Sequence, residues 1–343
     1  MKPLAVTDHT LASALGVGRA ATLAALRDGR SGLARKTFET AALDTWIGEV
    51  EGVDAQALPP ALADFDCRNN RLAWLGLQAD GFAASVARAR ARFGPRRIGV
   101  FLGTSTSGIL QTELAYRRRD PATGALPADF RYAQTHNTYS VVDFTRRVLE
   151  LEGPSCAVST ACSSSAKVFG HAARLIELGV IDAAVVGGVD SLCLTTLYGF
   201  NSLELLSDDI CRPWDAQRHG LSLGEAAAFA LLERDVAAPQ AWLRGVGESS
   251  DGFHMSSPHP QAPVRPRPCR RRSPRLAWCR ARSTTSTCTA PRRPTTTVPR
   301  TWPCARYSAT GCPAARPRAP PGTRWARPAA WRRRSRCWHC STA

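Results

Sequence analysis

Between Gln261 and Ala343 the chain contains no aspartate, no glutamate and no lysine. Nowhere in its 343 residues is there an apolar run of eighteen, the length a helix needs to cross a bilayer, and no signal-peptide pattern opens it. A cytoplasmic, reducing location with no membrane partner is therefore the expectation. Paired C-x-x-C units of zinc-binding spacing are also lacking. Of the 12 cysteines, five (Cys67, Cys156, Cys162, Cys193 and Cys211) precede residue 261 and seven follow it, and the single C-x-x-C, Cys337 to Cys340, stands alone. That distribution argues against a metal centre or a disulfide framework. No cofactor is expected.

The formal net charge of +17 would ordinarily point to nucleic acid or an anionic surface. The average is misleading, because residues 261–343 hold 20 of the 45 basic residues, all arginine, and residues 1–260 carry the other 25 against all 28 acidic ones. The part of the chain with folding periodicity is slightly acidic.

Along that part, Pro3 to Val6 reads as a first strand, and Leu11, Leu15, Leu23 and Leu26 follow at roughly helical spacing, which predicts a core-facing stripe. From Asn69 to Phe93, Leu72, Leu75, Phe82 and Val86 predict one amphipathic helix with Arg88, Arg90 and Arg92 towards its C-terminus and Pro95 as a stop. Arg97 to Gly103 and Ala183 to Gly188 are short, nearly continuous apolar runs of the kind buried on both faces of a mostly parallel sheet. Thr104 to Gly108 turns the first of them into another helix, a polar loop spans Asp120 to Asp129, and a helix is predicted from Tyr139 to Leu151. Leu221 to Leu232, broken at Gly224, reads as a strand pair or a bent strand. This alternation predicts a layered α/β fold.

The most informative stretch is Gly153 to Val168, GPSCAVSTACSSSAKV. Cys156 to Val158 reads as a short buried strand, Ser159 to Ala161 as a sharp turn, and helical period runs from Cys162 through Val168, Phe169, Ala172, Leu175 and Ile176 to a stop at Gly179. Cys162 thereby falls at a strand-to-helix elbow. Free N–H groups and the positive pole of the helix dipole there favour thiolate over thiol, and the turn leaves room for a bulky acyl group, as a cysteine nucleophile requires. The same residues also fit a buried, inert cysteine followed by serines that cap a helix.

This stretch resembles the active-site segment of the β-ketoacyl-acyl-carrier-protein synthases, condensing enzymes of the thiolase fold. Gly103-Thr-Ser-Thr-Ser-Gly108, Val185-Val-Gly-Gly-Val-Asp190, Cys211-Arg-Pro-Trp-Asp215 with Arg218 and Gly220, Leu223-Gly-Glu-Ala-Ala227 and Phe253-His-Met-Ser-Ser-Pro258 match that family in order and approximate spacing. The resemblance implies a thiolase-like layered α/β fold of which residues 1–260 form the first, N-terminal half, with Cys162 as catalytic nucleophile. It implies decarboxylative Claisen condensation of an acyl thioester with malonyl-acyl carrier protein in fatty-acid or polyketide-type synthesis. The implied partners are acyl carrier protein and a second subunit in a homodimer or heterodimer. His254 is expected to be a structural loop histidine, because its motif is not where the family's catalytic histidines lie. Asp215 and Arg218 form a candidate loop-bracing ion pair, and Glu225, inside an apolar run, is expected in a structural hydrogen-bond network.

From Gln261 onward no stretch keeps a period of two or 3.6, and 20 arginines with 13 prolines predict a tail without a core of its own. A solvated tail is poor in tryptophan and cysteine, yet five of the nine Trp lie here. Arginine, proline, alanine and cysteine are what a GC-rich gene yields when read out of frame. With codons begun on the third base, Ser283 to Pro303 can be read to contain HGTATPND and Cys312 to Ala329 to contain KGATGHTLGAAG. These resemble the segments that supply the synthases' two histidines and lysine; a G-F-G-G-x-N-type segment that helps form the oxyanion hole is not found in the printed sequence either. A one-base frameshift near Pro260 accounts for all of this, leaving a synthase by ancestry that is inactive in this translated form. A non-catalytic partner resembling the chain-length-factor subunits is the alternative, opposed by Cys162, which those partners typically lack. A nucleic-acid binder acting through the tail is a weaker alternative that would need steep salt-dependent binding. Resequencing across the codons for Pro260 and Gln261 is expected to find a one-base shift whose correction restores both histidine motifs and the oxyanion segment in one frame; an unshifted gene overturns this reading.

Overall fold

The computed structural model describes residues 1–213 and 215–248. Ten strands and seven α-helices follow one another in these residues. The strands are β1 (Leu4–Ser13), β2 (Gly16–Val17), β3 (Ala34–Arg35), β4 (Trp46–Gly48), β5 (Ile98–Gly103), β6 (Ser155–Val158), β7 (Ala183–Asp190), β8 (Leu223–Gly224), β9 (Ala226–Glu233) and β10 (Ala241–Leu243). The helices are α1 (Gly18–Arg27), α2 (Arg68–Gln78), α3 (Phe82–Phe93), α4 (Ile109–Arg117), α5 (Ser140–Val148), α6 (Ser164–Glu177) and α7 (Leu194–Ser202).

The main sheet runs β10-β1-β9-β7-β5-β6, with β2 paired to β1. β5 lies parallel to both β6 and β7, and β9 returns antiparallel to β7 and β1. All six residues of β5 are buried, as its unbroken apolar run predicts, because helices cover both faces of the sheet. On one face Ile98, Val100 and Leu102 meet Leu72, Phe82, Val86, Val142 and Phe144 from α2, α3 and α5. On the other, Phe101, Ala184 and Val186 meet Val168, Ala172 and Ile176 of α6. The expected layered α/β fold is present in these residues, and the positions of β5, β7, α4, α5 and α6 follow the sequence reading.

Three expectations are corrected. The leucine stripe is not a core face: Leu11 lies in β1, while Leu23 and Leu26 are exposed on α1, which buries Gly18, Thr22 and Ala25 instead. Residues 69–93 are two helices, parted at Asp80 and Gly81, both with positive φ. The break is held by the Asp80 carboxylate, which accepts the Arg19 N–H at 2.9 Å, at the N-terminus of α1, and the Thr10 hydroxyl at 3.0 Å. β6 is half-buried along its length, because among the described strands it bonds β5 alone and forms the sheet's edge.

The stretch around Gly224 is a bent strand that changes sheets. β8 pairs with β4 in a three-stranded sheet, β9 enters the main sheet, and Glu225 between them is fully buried. Its carboxylate accepts from Arg68 at 2.6 and 2.8 Å and from the Val50 and Leu192 N–H groups at 2.9 and 3.0 Å, which is the structural network expected of it. Burial alone would depress the Arg68 guanidinium, but the hydrogen bonds and charges of Glu225 and Asp54 reverse this and hold it above its ordinary value. Beyond β10, residues 244–248 cross α6 at Gly170, where a Cβ would press on the Val246 side chain at 3.0 Å, and Glu248 pairs with Arg174 at 3.2 Å and Lys167 at 3.9 Å.

Glu225→Ala strands a buried guanidinium, so it is expected to destabilise the fold by about 3 kcal/mol, the low end for a broken buried pair because Asp54 and Glu49 still face Arg68. Urea unfolding followed by circular dichroism checks this; an unchanged midpoint would refute it.

Candidate active site

Val158, Gly103 and Gly188 stand side by side in the register of β6, β5 and β7. These strands are parallel, and their C-terminal ends are where a sheet of this kind places its chemistry. Each end launches one part of the site. From Val158 the chain enters the elbow 159–163, from Gly103 it enters the loop 104–108, and from Gly188 it runs to Asp190.

The elbow is held by its own side chains. Ser164 is buried; its hydroxyl accepts the Thr160 N–H at 2.8 Å and donates to the Ala161 carbonyl at 2.6 Å. Ser163 donates to the Thr160 carbonyl at 3.0 Å. Ala161 takes a φ of 52°, a left-handed conformation uncommon for a residue with a side chain and one that turns the chain sharply before Cys162. α6 begins at Ser164, two residues later than the sequence pattern suggests, with Ser163 as N-cap making no capping bond through its side chain and no acidic residue in the first turn. The positive pole of a 14-residue helix therefore faces the elbow without a carboxylate from its own first turn against it.

Glycine lets this helix sit so low. A Cβ on Gly103 would overlap the Ser165 amide nitrogen, and one on Gly188 would come within 2.5 Å of the Ser165 Cβ. The neighbouring loop is tied to the elbow by the Thr104 N–H, which donates to the Val158 carbonyl at 3.1 Å, and to β7 through hydrogen bonds to Asp190.

Cys162 is exposed at this elbow. The other four described cysteines differ. Cys67 and Cys193 are buried, Cys156 and Cys211 half-buried. Burial pushes the Cys67 thiol up to about 12 and also raises Cys156 and Cys193, which starves all three of thiolate near neutral pH. A cleft of about 650 Å³ lined by Asp64, Asp66, Arg117, Arg118, Asp129 and Arg131 does not include Cys162, and all of these charges but Arg117 are held in the Arg118–Asp129, Arg131–Asp64 and Arg71–Asp66 pairs. Among the described residues no group of three His, Cys, Asp or Glu is placed to hold a metal.

In the loop after Cys211, Arg218 donates to the Asp215 main-chain carbonyl at 3.0 Å, while the Asp215 carboxylate accepts the Gln217 N–H at 2.6 Å. The bracing expected of this pair thus runs through backbone groups. His254 and residues 261–343 lie outside the described residues. The sequence reading placed Cys162 at a strand-to-helix elbow, as observed, but assigned nothing to Asp190 or Ser164; the only available signal was the position of Asp190 just past a glycine pair.

Residues 1–238 match the family model "Beta-ketoacyl synthase, N-terminal domain". The chain belongs to the β-ketoacyl synthase family. Over 197 residues it is 32% identical to 3-oxoacyl-[acyl-carrier-protein] synthase 2 of Rhizobium meliloti (strain 1021), covering 51% of this chain and 46% of the relative. Over 121 residues it is 37% identical to the protein of the same name in Vibrio cholerae, covering 32% and 29%. The chain spans about half the length or less of these curated relatives. Among solved structures it resembles a ketosynthase, ApeO, in complex with its chain length factor, ApeC, from Xenorhabdus doucetiae, at 33% identity and a TM-score of 0.66 over 76% of this chain and 64% of that one. A β-ketoacyl synthase from Burkholderia phymatum STM815 matches at 26% identity and a TM-score of 0.64, over 75% and 67%. The thiolase-like fold is thus the family's own, and this chain carries its N-terminal domain. No described helix is long and apolar enough to cross a membrane.

Treatment of the full chain with a limiting amount of iodoacetamide, followed by peptide mapping, is expected to label Cys162 ahead of Cys67, Cys156, Cys193 and Cys211. Equal labelling of Cys156 or Cys193 would show that the elbow confers no advantage.

Proposed function

We propose that Cys162 is the nucleophile of a β-ketoacyl synthase and that this chain, in its printed form, performs only the first half of the reaction. The observation that carries the proposal is an exposed thiol on a hydrogen-bonded elbow at the uncapped N-terminus of α6, set over three parallel strand ends. The Cys162 thiolate attacks the carbonyl carbon of an acyl group on acyl carrier protein. The carbon–sulfur bond to the carrier breaks, and the carrier thiolate leaves and takes up the proton that Cys162 gave up. In the second half, malonyl-acyl carrier protein loses carbon dioxide, and the electron pair of the broken carbon–carbon bond forms an enolate. Its carbon attacks the Cys162 thioester, expelling the Cys162 thiolate.

Both the enolate and the tetrahedral oxyanion need aimed hydrogen-bond donors. The histidine motifs and the oxyanion segment that supply them in the family are absent from the printed sequence, and the two histidine motifs can be read in the shifted frame. Loss of one such donor costs about 10²- to 10³-fold in rate, and several are lost together. The half-buried edge strand β6 offers a place for a second subunit, in keeping with a dimer.

Incubation with an acyl-acyl carrier protein should give a thioester on Cys162, seen by intact and peptide mass, and none in Cys162→Ala. Addition of malonyl-acyl carrier protein should release no β-ketoacyl product from the printed chain and release it from a version corrected by one base near Pro260. Condensation by the 343-residue form would show that the catalytic groups are misassigned. A corrected chain that folds but forms no adduct would mark a non-catalytic partner of the chain-length-factor kind.

A further inference from the structure

The loop 104–107 is rich in hydroxyls and mostly buried: Thr104, Thr106 and Ser107 are all buried side chains, an expensive arrangement unless each polar group is satisfied. The Thr104 and Thr106 hydroxyls converge on one atom, while the Ser107 hydroxyl donates to the Asn137 carbonyl at 2.9 Å. Asp190 Oδ1 accepts the Ser105 N–H at 2.6 Å, the Thr106 N–H at 2.9 Å, the Thr106 hydroxyl at 3.0 Å and the Thr104 hydroxyl at 3.2 Å. The loop is then cross-tied, since Thr104 Oγ1 accepts the Ser107 N–H and Thr106 Oγ1 accepts the Ser191 N–H, both at 3.0 Å.

We infer that Asp190 is a positioning residue for Cys162, an inference that rests on the assignment of Cys162 as nucleophile. The path is short and continuous. Asp190 fixes Thr104, the Thr104 N–H holds the Val158 carbonyl, and Val158 is the last residue of β6 before the elbow. Gly188, two residues before Asp190, lies under Ser165 in the first turn of α6. One carboxylate therefore governs both where the elbow starts and the surface on which its helix rests. Because a single oxygen receives all four bonds, the role demands an acceptor at that point and not a negative charge. Asparagine, with its carbonyl oxygen in the place of Oδ1, meets the demand; alanine does not.

The rate at which iodoacetamide labels Cys162 in the full chain reads this directly. Asp190→Ala is expected to slow labelling by roughly 2- to 5-fold, the size of the thiolate stabilisation that a helix pole supplies. Asp190→Asn is expected to keep most of the rate, and Thr106→Val, which removes one of the four donors, to fall between them. Throughout, Cys67 and Cys193 should stay protected. Labelling of Asp190→Ala at the wild-type rate overturns the inference. So does exposure of Cys67 and Cys193 in that variant, which would make Asp190 a support of the fold, or a fall in Asp190→Asn as deep as in Asp190→Ala, which would make charge the operative property. Acyl transfer to the unaltered chain is measured alongside: its absence sinks the nucleophile assignment, while the labelling series still decides whether Asp190 sets the elbow.

Discussion

The contact on which the rest of the site depends is the seating of the first turn of α6 on Gly103 and Gly188. Neither position admits a Cβ without moving Ser165. That closeness brings the pole of the helix down onto the strand ends and leaves the chain just five residues, 159–163, to turn from β6 into α6. A turn so short is paid for with a left-handed Ala161 and is kept by the Ser163 and Ser164 hydroxyls, which satisfy backbone groups that a longer loop would give to water. Exposure of the thiol follows from the same constraint.

A second constraint acts one layer away. Glu225 sits where β8 passes into β9, and its carboxylate gathers Arg68 from α2, the Val50 N–H and the Leu192 N–H. Leu192 lies two residues past Asp190, so the ion pair that joins the two sheets also anchors the segment leading away from the carboxylate that holds loop 104–107. Hydrophobic burial fixes the layers, whereas buried acids fix how their ends meet. Such acids add little net stability over apolar packing but make alternative joints expensive.

Elements were legible in the sequence where a single face or run decides them. β5 and β7 are short apolar runs buried on both sides, and α6 keeps its apolar positions and its Gly179 stop, which takes a φ of 71°. The elbow was legible because small residues separate a strand run from a helical run. What failed depended on distant partners. Nothing near Asp80 in the chain announces that it caps α1 through Arg19, 61 residues earlier, and so breaks the helix predicted over 69–93. Leu23 and Leu26 have core-like spacing, but α1 packs through its small residues, and spacing cannot choose between two faces. Asp190 was visible only as the end of a motif, since its role is a convergence of bonds from a loop more than 80 residues away.

The strand of chain that crosses α6 at Gly170 fixes a point of departure. Glu248 is paired to Lys167, which lies in the first turn of α6, just past the elbow that holds Cys162. The described chain therefore ends at a point fixed against the first turn of α6. A group carried on a short tether from that point would reach the elbow as an intramolecular reactant, at millimolar effective concentration, and not by diffusion from solution. The same group provided on a separate polypeptide would have to make up that concentration with binding energy of its own.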